Sequence, residues 1–237
     1  STIIYSILDE RFGVVSAPFL FDSLDEVDAA FAREGGKMLD ELLLEKNVVA
    51  LGYGENGFRQ ITNNEGPIES PEDLKGMKMR IPGIKMYTDL FRAYGSDPAT
   101  MTWSEVFTAL QQGTIDGQEN PIDVIYSSKI DEVQDYLTLW NYSYDPLVLG
   151  INKKLFDSMS EEDQELFKRL GKEAAAYQIQ LNRERAAEQL EELKAKGMQV
   201  NELTEEQLQV FKDASQPIYD QYKTIWGEDF LKAFQGE

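Results

Sequence analysis

The sequence predicts an α/β protein, because candidate strands and candidate helices alternate along its 237 residues. Several connections between the candidate strands are too long for hairpins, which favours sheets whose strands are mostly parallel. One helical pattern runs from Ser160 to Lys196, and such a helix would be about 50 Å long at about 1.5 Å per residue. Because this length exceeds the width of one small domain, we expect the helix to lie along two structural units, called lobes below.

The composition indicates a folded and strongly acidic protein. Hydrophobic residues make up 42% of the chain, and 43 acidic against 23 basic residues give a formal net charge of −20. This balance argues against nucleic acid or an anionic membrane as a partner, and an anionic ligand would need cations buried at its site. The chain has no histidine and no cysteine, which removes the commonest general base and any thiol nucleophile. We therefore expect binding rather than catalysis, and no cofactor or metal.

The first third of the chain predicts alternating strands and helices. Residues 1–22 suggest a strand, a turn and a second apolar run. Residues 23–46 carry apolar side chains at helical spacing, and the pair Gly35-Gly36 is expected to divide this stretch into two helices. Two buried strands are predicted next, over residues 47–53 and 58–62.

Two capping signals mark helix starts in the middle of the chain. Ser70-Pro-Glu-Asp73 and Thr102-Trp-Ser-Glu105 each place an acid three residues after a hydroxyl cap. Between them, residues 77–82 alternate as in a short strand and residues 84–94 have helical spacing. The second signal predicts a helix that ends at Gly113.

The stretch Gly113-Thr-Ile-Asp-Gly-Gln-Glu-Asn-Pro121 contains very little to bury. One interpretation is a surface loop before a helix that begins near Pro121. The other is a helix entry whose Asn120 amide and neighbouring backbone N–H groups face a ligand. The paired acids in this stretch, Asp116 and Glu119, lie in a turn context that already explains them, so we do not expect a catalytic carboxylate pair.

The last part of the chain predicts strands followed mainly by helices. Residues 136–151 suggest one long strand or two in series. After the long helix and its expected stop at Gly197, Thr204 caps a further helix that we expect to bend at Pro217. A short helix is predicted over about residues 227–235.

Two arginines and several aromatic residues are candidates for a binding site. Arg59 and Arg80 each lie in a short strand with apolar neighbours. Each could form an ordinary ion pair on a solvated face, or could point into a cleft and hold a carboxylate with two parallel hydrogen bonds. Trp103 could pack in the core or form a pocket wall. Tyr142 and Tyr144 could supply pocket phenols or pack near a hinge.

Six segments in series resemble the DctP-like solute receptors of TRAP transporters. The run "TWSEVFTALQQGTIDGQENP" is the most specific of them, and together the segments cover nearly the whole chain. The others are "APFLFDS" (17–23), "ENGFRQITN" (55–63), "SPEDLKGMKMRIPG" (70–83), "YSSKIDEVQDYLTLWNYSYDPL" (126–147) and "INKKLFDSMSEEDQ" (151–164).

The resemblance implies a two-lobed, periplasmic-binding-protein-like receptor. It would close on an organic acid, such as a sugar acid, in the periplasm and deliver it to the membrane permease subunits of a TRAP transporter. In "KMRIP", Arg80 matches the principal carboxylate-binding arginine of the family, and Arg59 in "NGFR" matches a second one. Asn120 of "GQENP" would complete the carboxylate clamp and Trp103 would wall the site; Tyr144 is our remaining candidate. Alternative functions are a ligand-sensing regulatory domain of the same fold or a carboxylate-based hydrolase.

The resemblance also implies the division into lobes. Residues 1–56 and 146–185 would form lobe one, and residues 57–145 and 186–237 would form lobe two with the carboxylate clamp. Members of the family carry a further segment before the point where this sequence starts, so lobe one is expected to be incomplete. Because an uncovered sheet edge can pair with another chain, self-association through lobe one is also expected.

Overall fold

The computed structural model describes residues 1–236, which contain nine α-helices and seven strands. The α-helices are α1 (Leu24–Ala32), α2 (Glu34–Glu45), α3 (Lys85–Ala93), α4 (Trp103–Gln111), α5 (Ile122–Ser127), α6 (Lys153–Asp157), α7 (Glu161–Ala195), α8 (Glu205–Trp226) and α9 (Glu228–Gln235). The strands are β1 (Val48–Asn63), β2 (Met79–Ile81), β3 (Ala99–Thr100), β4 (Gly117–Pro121), β5 (Tyr136–Leu139), β6 (Tyr144–Asn152) and β7 (Gln199–Glu202). Four short 3-10 helices cover Thr2–Ile7, Glu10–Ser16, Pro71–Leu74 and Ile130–Glu132.

The N-terminal residues are helical, so the strand predicted there is wrong. Two 3-10 helices follow each other, and the side chain of Asp9 caps the second by accepting from the backbone N–H of Arg11. Apolar side chains of this second helix, including Phe12 and Val15, are buried in the main core. Their apolar spacing therefore reflects packing of a tight helix rather than the alternation of a strand.

Strand β1 is the central strand of the sheet and pairs with three other strands. It pairs antiparallel with β6 from Val48 to Phe58 and with β4 and β5 along its last residues, Arg59 to Asn63. The sequence predicted two strands here, but the chain continues through both because register shifts between Ala50 and Gly52 and between Glu55 and Gly57 absorb the irregular spacing. One strand thus belongs to two groups of paired strands, which meet near Phe58.

The sheet is mixed, so the expectation of mostly parallel strands is wrong. Its order is β3-β2-β4-β1-β5-β7, with β6 paired to β1 off this path. The pairs β2–β3, β2–β4 and β5–β7 are parallel, whereas every pair that involves β1 is antiparallel. Strand β7 was not predicted, because its four residues are polar or only partly buried.

The second half of the stretch from Gly113 to Pro121 is a strand. It is therefore neither the surface loop nor the helix entry that the sequence suggested. Residues Gly117–Pro121 form β4, whose five residues are all buried between β1 and β2. Gly117 is needed because a Cβ there would collide with the carbonyl oxygen of Thr62. The polar composition is compatible with burial because these side chains bond to one another and to neighbouring strands.

Helix α7 confirms the predicted long helix and connects the two groups of strands. It has 35 residues. Near its start Gly171 lies so close to β1 that a Cβ there would be 2.6 Å from the Cβ of Leu51. Farther along, Gln189 donates to Asp123 at the start of α5 (2.8 Å). Within residues 1–236, none of the helices combines the length and the apolar character that crossing a bilayer requires.

Candidate functional site

A cavity of about 270 Å³ opens where the β1–β6 pair meets the rest of the sheet. It brings together four of the five predicted site residues. The lining residues with polar or aromatic side chains are Ser1, Asn56, Arg59, Arg80, Trp103, Asn120 and Asp145. Tyr144, the fifth predicted residue, lies outside the residues that line the cavity.

Arg59 is buried and is surrounded by carboxylates. Its Nε and Nη2 atoms donate to the two carboxylate oxygens of Glu119, and Nη1 donates to Asp145 Oδ2 at 2.8 Å. Arg59 is 4% exposed, Glu119 0% and Asp145 1%, so the ion pairs lie in the interior rather than on a solvated face. Burial opposes the charge on Arg59, but the two carboxylates outweigh this effect and hold the pKa of Arg59 well above its ordinary value.

Arg80 is just as buried but has no carboxylate partner within the described residues. It is 5% exposed, and its Nε and Nη2 atoms both donate to the backbone carbonyl of Met101, at 3.3 and 3.0 Å. Burial lowers the pKa of Arg80; the negative charge of Glu119 opposes that effect and the positive charge of Arg59 adds to it. Arg80 lines the cavity, and its Nη1 atom has no hydrogen-bond partner among the described residues.

Asn120 connects Arg59 to a chain of buried polar side chains. Its Oδ1 accepts from Arg59 Nη2 at 3.1 Å, and its Nδ2 donates to Gln118 Oε1 at 2.7 Å. Gln118 in turn donates to the hydroxyl of Thr62 at 3.0 Å. These contacts fix the orientation of the Asn120 amide and use one of its two N–H groups. The second N–H has no hydrogen-bond partner among the described residues, and Asn120 lines the cavity.

Trp103 combines the two roles considered for it. As the first residue of α4, it follows the Thr102 capping box, packs against the second apolar cluster and also lines the cavity. The Cζ atom of Arg80 lies 5.2 Å from the centre of its ring. At this distance the ring stabilises the guanidinium through a cation–π contact and supports its plane.

Tyr142 and Tyr144 pack near the cavity but are not among the residues that line it. The hydroxyl of Tyr144 donates to Glu55 Oε2 at 3.1 Å, and its ring meets the rings of Phe21 and Phe58 edge to face. The hydroxyl of Tyr142 donates to Glu119 Oε2 at 2.6 Å. Tyr142 therefore helps to fix the carboxylate that holds Arg59.

Sequence reasoning missed Asn56 and Asp145 as cavity residues. They come together because Asp145 lies opposite Gly57, next to the register shift on β1. Asn56 Nδ2 donates to Asp145 Oδ2 at 2.9 Å. The only signals in the sequence are Asn56 before a glycine and Asp145 before a proline, and both are common in ordinary turns. Within the described residues, no group of side chains has the composition of a metal site.

The family model of the bacterial extracellular solute-binding proteins, family 7 (DctP), matches residues 1–225. The chain belongs to this family. Its members are the extracytoplasmic solute-binding proteins of TRAP transporters, which bind small organic acids and work with TRAP permeases. They are binding proteins for transport and not enzymes, which confirms the expectation of binding rather than catalysis.

Individual relatives are similar over almost the whole chain. The 2,3-diketo-L-gulonate-binding periplasmic protein of Escherichia coli is 35% identical over 229 residues, which cover 95% of this chain and 69% of that protein. A TRAP periplasmic solute-binding protein from Ralstonia eutropha, solved with bound (S)-2-acetolactate, superposes with a TM-score of 0.96 at 35% identity. The sugar acid binding protein from Advenella mimigardefordensis, solved with galactonate, gives 0.94 at 33% identity.

The structural matches confirm the predicted fold class. Each covers 100% of this chain, and this chain covers 77% of the Ralstonia protein and 76% of the Advenella protein. These TRAP binding proteins are two-lobed. The α/β, two-lobed architecture expected from the sequence is therefore that of the family.

Proposed function

We propose that the cavity binds one organic acid through its carboxylate, and that this protein delivers the acid to a TRAP permease. The observation that carries the proposal is Arg80, a buried cation that no carboxylate among the described residues neutralises. A carboxylate that leaves water must regain its solvation from charged hydrogen-bond donors. Arg80 offers such donors on the side that faces the cavity.

The remaining cavity residues have distinct parts in this proposal. Asn120 donates its second amide N–H to the same carboxylate, and Trp103 holds the Arg80 guanidinium in plane. Arg59 uses one Nη1 hydrogen on Asp145 and directs the other at the ligand. Tyr144 does not contact the ligand in this proposal. Its hydroxyl bonds to Glu55 and stabilises the surroundings of the site.

We propose that the lobes divide near residues 56–57 and 145–146, as the family resemblance implied. The register shift on β1 and its partner Asp145 lie at this division, and α7 passes alongside both parts. Closure about these points would exclude water from the cavity, which strengthens charged hydrogen bonds inside it. The ligand favours the closed state only to the extent that it binds that state better.

The ligand is proposed to be a small acid with hydroxyl or keto groups. Support comes from the two solved relatives, one of which holds acetolactate and the other galactonate. The cavity volume of about 270 Å³ limits the ligand to a small acid. The strongly acidic surface, with its net charge of −20, does not prevent this because the binding cation is local and buried.

Native mass spectrometry followed by calorimetry tests the proposal. Gentle desorption of the purified protein should release a co-purified organic acid, and titration should show binding of galactonate. Galactitol is the matched control, because it has a hydroxymethyl group in place of the carboxylate. We expect it to show no measurable binding; equal binding of galactitol and galactonate would overturn the carboxylate mechanism.

We also propose that the outer edge of β6 supports self-association. Within residues 1–236 this strand pairs only with β1, and Leu149 on it is 47% exposed. An exposed apolar edge can pair with a second chain. Light scattering after size exclusion should show an increase in mass with concentration that Leu149→Lys abolishes. A monomer at all concentrations contradicts this proposal and leaves the binding function intact.

A further inference from the structure

We propose that Asp145 makes the cavity selective for hydroxylated monocarboxylates and excludes dicarboxylates. The inference rests on the proposed function and names the ligand class of the same site. Asp145 lies on β6 opposite Gly57, is 1% exposed, and lines the same cavity as Arg80. A buried carboxylate in a pocket for anions needs an explanation, because it repels the ligands that the pocket is built to bind.

Among the described residues that line the cavity, only one guanidinium, that of Arg80, has no carboxylate partner and can pair with a ligand carboxylate. Arg59 carries one positive charge but is paired with two carboxylates, those of Glu119 and Asp145. This cluster therefore has a net charge of −1, and Arg80 balances it. A bound monocarboxylate pairs with Arg80 and leaves the site with a net charge of −1. A dicarboxylate leaves it with −2, and its second carboxylate finds no further unpaired guanidinium among the described cavity residues. Burying such an uncompensated charge is strongly unfavourable.

The hydrogen bonds of Asp145 indicate what the distal end of the ligand should carry. Its Oδ2 accepts from Arg59 Nη1 at 2.8 Å and from Asn56 Nδ2 at 2.9 Å, and its Oδ1 accepts from the Ser1 hydroxyl. An ionised carboxylate has about four acceptor sites, so the three contacts leave room for one more donor. A ligand hydroxyl can donate there. A second ligand carboxylate cannot donate and is repelled.

The backbone fixes Asp145 in this position. The register shift between Glu55 and Gly57 inserts Asn56 into β1, and Gly57 adopts a φ of +111°, a conformation that other residues rarely take. Asn56 and Arg59 then reach the same carboxylate oxygen from one strand. The alternative is that Asp145 serves only as a counter-ion for Arg59. In that case its charge should affect stability but not the order in which ligands bind.

Calorimetry with two matched ligands tests the selectivity. Galactarate differs from galactonate only in having a carboxylate where galactonate has its terminal hydroxymethyl group. We expect galactonate to bind about tenfold more tightly or better, because like charges face each other across the cavity in the galactarate complex. The monoamide of galactarate has the same shape as galactarate and an uncharged distal end, so its affinity should approach that of galactonate. These measurements need no variant.

The Asp145→Asn variant tests whether Asp145 causes the preference for galactonate over galactarate. It keeps an acceptor oxygen and removes the charge, so the preference for galactonate over galactarate should fall about fivefold or more. Asp25→Asn is the control, because Asp25 is an exposed acid on α1 outside the cavity. Equal affinities for the two acids in the unmodified protein, or an unchanged ratio in a folded Asp145→Asn variant, would overturn the inference while carboxylate binding stands. Failure of both acids to bind would overturn the proposed function with it.

Discussion

The surroundings of Arg59 and of Arg80 differ in one respect, which is whether a carboxylate lies beside the guanidinium. Both arginines lie on strands that flank β4, and their exposures are 4% and 5%. Arg59 is held by Glu119 and Asp145, whereas the protein offers Arg80 the carbonyl of Met101 and the face of Trp103. Burial therefore does not distinguish the two residues; the presence of a counter-charge does.

This difference supports the proposal that Arg59 mainly stabilises the fold and that Arg80 binds the ligand. A buried ion pair with good geometry largely recovers the cost of removing its charges from water. A buried cation bonded only to a carbonyl and a ring recovers less of it. Arg80 therefore remains incompletely compensated in the protein without ligand, and in the proposed complex the ligand carboxylate compensates it. The stability of the protein without ligand should thus depend more on Arg59, and its affinity for acids more on Arg80.

The largest expected effect is on stability at Arg59. Arg59→Met leaves the carboxylates of Glu119 and Asp145 buried without their cation, and we expect the free energy of unfolding to fall by about 3–5 kcal/mol. Urea denaturation of the ligand-free protein measures this loss. The matched control is Arg80→Met, which breaks no ion pair and should change the free energy of unfolding little. Equal losses of unfolding free energy in the two variants would show that the counter-charge does not distinguish the two arginines.

The second effect is on binding at Arg80. Arg80→Met should weaken carboxylate binding by about 2–5 kcal/mol, because it leaves the ligand's charge buried and unpaired. Arg80→Lys keeps a positive charge but loses the planar fork of donors, so it should recover only part of the affinity. Calorimetry with galactonate measures both variants. An affinity unaltered by Arg80→Met would show that Arg80 is not the anchor.

The sequence predicted Arg59 and Arg80 as site residues, but it did not predict that carboxylates surround Arg59 and not Arg80. Resemblance of the strand motifs to the TRAP receptors singled out both arginines, Trp103 and Asn120, and the structure gathers these four at one cavity. Whether an arginine meets an acid depends on strand register, which the motifs do not contain. Glu119 reaches Arg59 because β4 lies against β1 with Ile61 opposite Glu119. Nothing local to either residue indicates that pairing.

Register also explains the cavity residues that the sequence could not indicate. Asp145 and Asn56 become neighbours through an irregularity in β1, and such bulges leave only a weak signal, here Gly57. The polar strand β4 was interpreted as a loop because its composition lacks the apolar alternation of a strand. Its polar groups are tolerated inside the sheet since each finds a partner there. Patterns that depend only on local sequence, such as the capped helices α4, α7 and α8, were predicted correctly.

The smallest expected effect is on the support of Arg80 by Trp103. The guanidinium lies 5.2 Å from the centre of the indole ring, and loss of such a contact costs about 0.5–2 kcal/mol. Trp103→Leu should weaken galactonate binding by about this amount, because Arg80 then loses its only aromatic support and becomes more mobile. Trp103→Phe keeps a ring face and should bind almost as well as the unmodified protein. Calorimetry of both variants measures the affinity, and thermal melting is the control for core packing. If Trp103→Leu lowers the melting temperature but leaves the affinity intact, Trp103 belongs to the core and Arg80 is positioned by Met101 alone.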